Sequence, residues 1–354
     1  EGTVASLAET YVDILQSEKA INILNQFINT NPSSAICNQS RALILLKEKK
    51  FKKGFKAYDW RLAPSAKNVK SRPFTQELWK GNKEIEKKLL IWLEQGIGDE
   101  ILSLNLIKYF QKMVNNCMIE CEPRLESLLK RSFPSIEIFP RTNPPKLKTK
   151  NADLVCPIWS GAKYFNLENE SVKTSKPLLK SNKQLTNGFR KKYSSLAKGK
   201  KIVGISWSSG GNFSNLKTPP LNAWQPLLSM QNIFFISVQY SPLKKDINQL
   251  SKFANENLYL DKTFDSLSEI DTAASQISSL DAIITVSNTI AHLSGSLGKP
   301  VGTIVPYGRG SFWYWFKDRE DSIWYPSMRL FRQNNPGDWD STIDKTIKWI
   351  TKTI

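Results

Sequence analysis

The sequence predicts an α/β protein of two doubly wound parallel sheets preceded by a short all-helical segment. Three observations carry that reading. Strand-length apolar runs alternate with helical stretches from residue 88 to 157 and again from 201 to 305, which is how a parallel sheet covered by helices is written. A lysine- and serine-rich stretch, 171–201, separates the two series. Residues 1–64 carry apolar spacing of the helical kind alone. The chain is therefore expected to fall into three segments, 1–64, 65–185 and 186–354.

In the first segment, Leu7, Ala8 and Tyr11, then Ala20, Leu24 and Phe27, recur at helical spacing, with a break at Gln16-Ser17-Glu18 and a stop at Asn31-Pro32. A shift of about 34 residues, the tetratricopeptide period, carries Ala8 onto Ala42, Ala20 onto Gly54 and Leu24 onto Tyr58. The segment therefore resembles one full and one degenerate tetratricopeptide repeat; a plain helical hairpin is the alternative. About three repeats are needed for a stable array. Either the pair leans on the next domain, or it is the tail of a longer array.

Pro64 to Lys83 is a basic, turn-rich connector. Lys88 to Leu93 reads as a buried strand, and Glu94 to Ile101 turns it into a helix running toward Met113. Met118 to Glu122, Ile136 to Phe139 and Asp153 to Pro157 read as strands, with a helix over Arg124 to Arg131. In the second series, strands are expected at Lys201 to Trp207, Ile233 to Gln239, Ala282 to Val286 and Pro300 to Val305. Helices are expected at Trp224 to Ser229 and Ile270 to Ser279, and a C-terminal helix, Ser341 to Lys352, is expected to cross back toward the first sheet.

Composition excludes several classes. Hydrophobic residues at 40% and charged residues at 23% fit an ordinary globular chain. No apolar run reaches the roughly 20 residues that cross a bilayer, and Glu1-Gly2-Thr3 does not open a signal peptide; the expectation is a cytoplasmic protein. The formal charge of +18 invites a nucleic-acid reading, but the lysines are spread from Lys19 to Lys352 with no recognition motif beside them. No specific nucleic-acid partner is expected, while a diffuse attraction to anionic substrates or membrane surfaces stays open. Cys37, Cys117, Cys121 and Cys156 make no disulfide framework, and Cys117 and Cys121 lack a second ligand pair for zinc. Neither a metal nor a cofactor is expected.

Chemistry concentrates at three expected strand ends. After Ala282 to Val286, Ser287, Asn288 and Thr289 open a small-residue helix that contains the sole histidine, His292. Hydroxyl, amide and imidazole groups beside the positive end of a helix dipole suit a phosphate or pyrophosphate; a capped helix with a satisfied histidine is the alternative. Gln95-Gly96-Ile97-Gly98-Asp99 lets a turn approach a ligand and presents a carboxylate near a helix start. Asp99 there is a base for a hydroxyl or simply a cap. Ser206-Trp207-Ser208-Ser209-Gly210-Gly211-Asn212, followed by Lys217, is a glycine-rich loop with a cation, able to hold a diphosphate or to be a surface turn.

The Glu94-to-Glu100 turn, the Gly204-Ile205-Ser206-Trp207 strand and Ser287 to Leu293 resemble those of bacterial tetratricopeptide-repeat glycosyltransferases. These are similar to family 9 heptosyltransferases and, more distantly, to O-GlcNAc transferase. Gly54 to Arg61, Tyr307 to Ser311, Trp313-Tyr314-Trp315, Trp324 to Ser327, Arg329 to Gln333 and Gly337-Asp338-Trp339 belong to the same pattern, which spans nearly the whole chain. The resemblance implies a GT-B fold: an acceptor domain over 65–185 and a nucleotide-sugar domain over 186–354, two Rossmann-like bodies facing a cleft. It implies that Asp99 activates the acceptor hydroxyl, with Gln95, Gly96 and Gly98 on the acceptor side. The donor set would be Trp207, Gly210, Gly211, Lys217, Gln239, Tyr240, Ser287, Asn288, Thr289 and His292, and the acceptor a protein or glycan docked by the repeats. Two departures stand out. Lys217 replaces a common arginine, losing the bidentate fork, and Ser287-Asn288 stand where relatives commonly have Asp-Thr.

Asp338-Trp339-Asp340 has the Asp-x-Asp form of metal-dependent glycosyltransferases but follows Pro336-Gly337, and reads as a loop and helix cap. Phe312 to Phe316 reads as packing of a C-terminal excursion, with sugar contact as the alternative. The leading reading is a metal-independent glycosyltransferase with a nucleotide-sugar donor. Its rival is a repeat-bearing protein of the same fold that only binds a nucleotide or a partner; a nucleotide-sugar epimerase is the third.

Overall fold

The computed structural model of the chain describes residues 1–66, 72–146, 149, 151–167, 176–211, 213–255 and 257–354. The middle of the basic connector, the start of the lysine-rich linker and Asn212 lie outside the described residues. The chain divides into two contact-defined units, Glu1–Lys173 with Phe312–Asp318, and Thr174–Ser311 with Arg319–Ile354.

The first unit opens with α1 (Gly2–Asp13), α2 (Ser17–Thr30), α3 (Ala35–Lys47) and α4 (Phe51–Tyr58). Ser34 caps α3, its hydroxyl accepting from the Cys37 N–H at 3.3 Å. The small residues sit where helices meet. Ala8, Ala20 and Ala42 are fully buried, and a Cβ on Gly54 would fall 2.7 Å from a Leu46 methyl. Only glycine lets α4 lie that close to α3. The first three helices share a core through Val12, Leu24, Ile28 and Ile44. The fourth reaches beyond it, Phe55 of α4 stacking on Trp159 with centroids 5.9 Å apart.

A five-stranded, all-parallel sheet comes next, in the order β1-β5-β2-β3-β4. Its chain order is β1 (Glu77–Leu78), β2 (Glu84–Trp92), α5 (Ile97–Ser103), α6 (Ile107–Met113), β3 (Val114–Cys121), α7 (Glu126–Ser132), β4 (Glu137–Pro140), β5 (Leu154–Pro157) and α8 (Ile158–Gly161). The single helix expected toward Met113 is broken by a 3-10 turn at Leu104–Leu106. The register sets Trp92 beside Glu120 and Pro157, so residues 93–99, 121–122 and 140–141 leave the sheet at one carboxyl edge. The four helices and the first sheet fall in one unit.

The second unit runs α9 (Lys183–Ala197), β6 (Lys201–Ser206), α10 (Ser214–Lys217), α11 (Gln225–Leu228), β7 (Ile233–Ser237), α12 (Lys244–Phe253), β8 (Leu258–Leu260) and α13 (Ile270–Ser278). It continues through β9 (Ala282–Val286), α14 (Thr289–Ser296), β10 (Val301–Val305), β11 (Met328–Arg332) and α15 (Trp339–Thr353). Its six strands are parallel in the order β11-β10-β9-β6-β7-β8. Both faces are buried, hence the continuous apolar runs. The sequence sent α15 toward the first sheet; the helix packs on the second. Ile343 and Ile350 enter the second sheet's core, and Gly302 of β10 makes room for Trp349, whose ring would lie 2.8 Å from an added Cβ.

Candidate functional site

The carboxyl edge of the second sheet gathers the loops after β6, β7 and β9. Asn288, the N-cap of α14, ties them together. Its Oδ1 accepts from Ile290 N at 2.9 Å and Thr285 Oγ1 at 3.1 Å; its Nδ2 donates to Ser206 Oγ at 2.8 Å and Ser208 O at 2.9 Å. Gln239 completes the tie, its Oε1 accepting from Ser206 Oγ at 2.9 Å and Ser208 N at 3.0 Å, while its Nε2 donates to Tyr240 O. Tyr240 accepts from the Gly210 N–H at 3.3 Å, and Thr218 accepts from Ser209 N at 3.2 Å. Gly211 has φ of +73° and stays exposed, a left-handed turn that suits glycine.

Two of the expected donor contacts are engaged inside the protein. An amide offers two donor hydrogens and two acceptor lone pairs; Asn288 gives both hydrogens to Ser206 and Ser208, and its oxygen takes the Ile290 N–H and shares the single Thr285 hydroxyl hydrogen with Val286 O, 3.0 Å from that hydroxyl. It ties the loop after β6 to the start of α14. Trp207 is fully buried in the core of the second sheet with its Nε1 3.4 Å from Asp246; it supports the loop from within. Ser287 and Lys217 are buried as well, whereas Thr289, Tyr240, Ser208 and Ser209 are half-exposed and Gly210 is exposed.

His292 is 2% exposed, and its Nδ1 lies 3.0 Å from Tyr325 Oη. Burial drives its pKa down to about 3, so the ring is neutral and can offer a hydrogen bond but no charge. Tyr325 reaches α14 because Gly295 has no side chain; a Cβ there would meet the ring at 2.5 Å. In sequence Tyr325 stands in a motif of its own, with nothing to pair it with His292.

At the carboxyl edge of the first sheet, Asp99 is half-exposed and occupies the third position of α5. Its Oδ2 accepts from the N–H of Gly96, the N-cap, at 3.2 Å. Gln95, just before, holds φ of +72°, a left-handed conformation that costs a non-glycine residue about 1–3 kcal/mol. Its amide is met by Tyr58, Nε2 donating to the hydroxyl at 2.9 Å. Glu94 is buried and takes Arg61 through both carboxylate oxygens, Nε donating to Oε2 at 2.8 Å and Nη2 contacting Oε1. Behind the turn, Glu100 accepts from Glu122 N at 2.9 Å and contacts Arg141; burial outweighs both and pushes its pKa up to about 7. Sequence reasoning missed the pairing of Arg61 and Tyr58 with Glu94 and Gln95, although the segments 54–61 and 94–100 both belong to the resemblance.

Asp338 caps α15, accepting from Ser341 Oγ at 2.6 Å and Ser341 N at 3.3 Å. That hydroxyl bond lowers its pKa. Trp313, Trp315 and Phe316 are buried, Trp313 meeting Phe55 and Trp159 edge-on at 5.8 and 5.6 Å. Among the described residues, no cluster of three His, Cys, Asp or Glu could hold a metal ion, and no helix is long and apolar enough to cross a membrane.

No family model matches the chain. A curated relative, Protein FlbA of Caulobacter vibrioides, is 24% identical over 333 residues, covering 88% of this chain and 54% of its own length. The chain thus spans about half of that relative. Among solved structures, the glycosyl transferase family 9 protein of Veillonella parvula is 9% identical and covers 78% of this chain and 98% of its own, with a TM-score of 0.49. The E. coli ADP-heptose LPS heptosyltransferase II is 12% identical over 75% of this chain and 99% of its own, also at 0.49. An O-GlcNAc transferase variant of Thermobaculum terrenum is 11% identical over 99% of this chain and 78% of its own, at 0.37. What the chain itself displays is the α/β class expected of such proteins: two parallel sheets, preceded by helices.

Proposed function

We propose that this chain is a metal-independent glycosyltransferase that moves a sugar from a nucleotide-sugar donor to a hydroxyl of a protein or glycan. The observation that supports it most is the tie at the second sheet's edge, where Asn288 binds the β6 loop and the start of α14 into one piece. Such an edge, with exposed Gly210 and Gly211 and a helix N-terminus, suits a diphosphate. The donor contacts would come from Gly210, Gly211, Tyr240, Thr289 and the neutral His292. Lys217 and Ser287 would stand behind them, and Trp207, Gln239 and Asn288 would hold the loops in place.

In the first unit, Asp99 is the proposed base, with Gln95, Gly96 and Gly98 forming the acceptor-side turn. The acceptor oxygen would bond to the anomeric carbon while its proton passes to Asp99 and the sugar–diphosphate bond breaks, the pair leaving on the nucleoside diphosphate. The four N-terminal helices would dock the acceptor. Asp338 is engaged in capping, so the Asp-x-Asp form supplies no metal pair to this chemistry.

Asp99→Asn tests the assignment. Asparagine keeps the acceptor for the Gly96 N–H but cannot take a proton, so turnover should fall about 10² to 10⁴-fold with donor affinity within a few-fold. Nucleotide sugars are first screened by thermal shift, since a bound donor raises stability by mass action, and release of nucleoside diphosphate is the readout. A second reading, a binding protein without turnover, draws on the neutral, buried His292 and the buried Lys217. Tight donor binding with no diphosphate release from any acceptor would select it.

A further inference from the structure

We propose that Tyr58, at the end of the helical segment, is a positioning residue for the turn that carries Asp99. Its catalytic consequence rests on Asp99 being the base; its structural consequence does not. The ladder of β2 with β3 ends where Leu93 N donates to Glu120 O at 2.8 Å. Beyond that point the chain is gripped from the helices. Arg61 holds Glu94 and also donates to Ser160 Oγ at 3.1 Å, and Tyr58 holds Gln95, its hydroxyl 2.9 Å from Nε2 and 3.2 Å from Oε1.

Gln95 is the strained residue of the turn, and its peptide leads directly into Gly96, whose N–H fixes the Asp99 carboxylate. A left-handed glutamine persists only where its surroundings over-determine it; here the hydroxyl of Tyr58 does so. Tyr58 is itself immobilised. It is buried, and the Arg61 guanidinium lies 4.8 Å from its ring centroid. Burial raises the pKa of its hydroxyl, and the charge of Asp99 is among the further causes, which puts the carboxylate within electrostatic reach and keeps the hydroxyl protonated. Of the two grips, Arg61 on Glu94 and Tyr58 on Gln95, the second acts on the strained residue itself. A displacement of reacting groups by 1 Å is enough to slow a reaction about 100-fold.

The test uses the whole chain with Tyr58→Phe, which deletes only the hydroxyl, and Gln95→Ala, which deletes the same bond from the other side if the first variant fails to fold. Hydrogen exchange is read at the amides of 96–100. In Tyr58→Phe these should exchange about 10-fold faster, with the amides of α1 to α3 and of β2 unchanged. Lys163→Met is the control: it removes the Lys163–Asp59 ion pair, which ties the end of the helical segment to residues 162–164 and not to the turn after β2, and should leave those amides as in the wild type. Unchanged exchange at 96–100 in both Tyr58→Phe and Gln95→Ala overturns the proposal.

Diphosphate release supplies the second readout. Tyr58→Phe should lower kcat about 10-fold at a donor KM within two-fold, and the double variant should lose no more than either single one. Faster exchange with kcat intact, in a protein that Asp99→Asn does silence, removes the catalytic role of Tyr58 while leaving the base in place. If Asp99→Asn retains full turnover, the base assignment falls, and the exchange data still decide whether Tyr58 holds the turn.

Discussion

Asn288→Ala separates a scaffold residue from a ligand contact without any ligand being present. The wild-type side chain bonds to Ile290, Ser206 and Ser208 and shares the Thr285 hydroxyl hydrogen with Val286 O, and it is only 8% exposed. At about 1 kcal/mol net for each bond, the helix cap included, the loss comes to about 3–4 kcal/mol. Ser206 keeps its bond to Gln239, which holds the figure below a full collapse of the network. The assay is native-state hydrogen exchange at the core amides of β6 and β9, which reports on the second unit alone. With 1.4 kcal/mol per factor of ten, exchange through unfolding of that unit should quicken by about 10² to 10³. Asn288→Asp is the graded control: it keeps the acceptor for Ile290 and Thr285 but turns a carboxylate oxygen toward the Ser208 carbonyl, so it should lose at least about 2 kcal/mol. An alanine variant within about 1 kcal/mol of the wild type would refute the scaffold argument and return Asn288 to the direct donor contacts.

Two further outcomes are expected. Arg61→Met strands Glu94, whose side chain is 1% exposed, without its cation, and should destabilise the first unit by about 3–5 kcal/mol; adding Glu94→Gln should restore part of this, as thermal unfolding would show. Glu100 and His292 give opposite pH dependences. The folded pKa of Glu100, about 7, lies above its ordinary 4.5, so its contribution is full below pH 4.5 and lost as pH rises through 7. That of His292, about 3, lies below its ordinary 6.5, so its contribution is full above 6.5 and lost as pH falls toward 3. Glu100→Gln should therefore steepen the gain in stability between pH 4.5 and 6.5, by up to about 1.4 kcal/mol per pH unit. An unchanged slope in melting temperature against pH would place the Glu100 carboxyl in its ordinary range.

Apolar periodicity made the two sheets legible, because strands buried on both faces are written as uninterrupted runs such as Leu89 to Leu93 and Ala282 to Val286. The strands it missed are those the rule does not describe: β1 is two exposed residues, β8 is three half-buried residues, and β11 carries arginines at 329 and 332. The destination of α15 was not legible, since an amphipathic helix does not state which sheet it covers; the complement was Gly302, distant in sequence. At the sites, the turns and the helix starts were readable from glycines and caps. Whether a polar side chain is spent inside the protein was not. Asn288 and Thr289 are adjacent and both polar, yet one gives its amide hydrogens to partners up to 82 residues away and the other is half-exposed.

The placement of Phe312–Asp318 within the first unit has a consequence for how the chain matures and how it can be cut. Phe51, Phe55 and Trp159 appear early in synthesis, but Trp313 and Phe316, which cover them, arrive only after most of the second unit has been made. Until then the nascent first unit presents an open aromatic hollow to chaperones and to other chains, a hazard of transiently exposed apolar surface. The same holds for dissection. A fragment ending at residue 173 lacks its own closure, so truncation data on it would report an unsealed hydrophobic core in place of the properties of the first unit. A peptide spanning 312–318, supplied in trans, is the piece such a fragment would need to become itself.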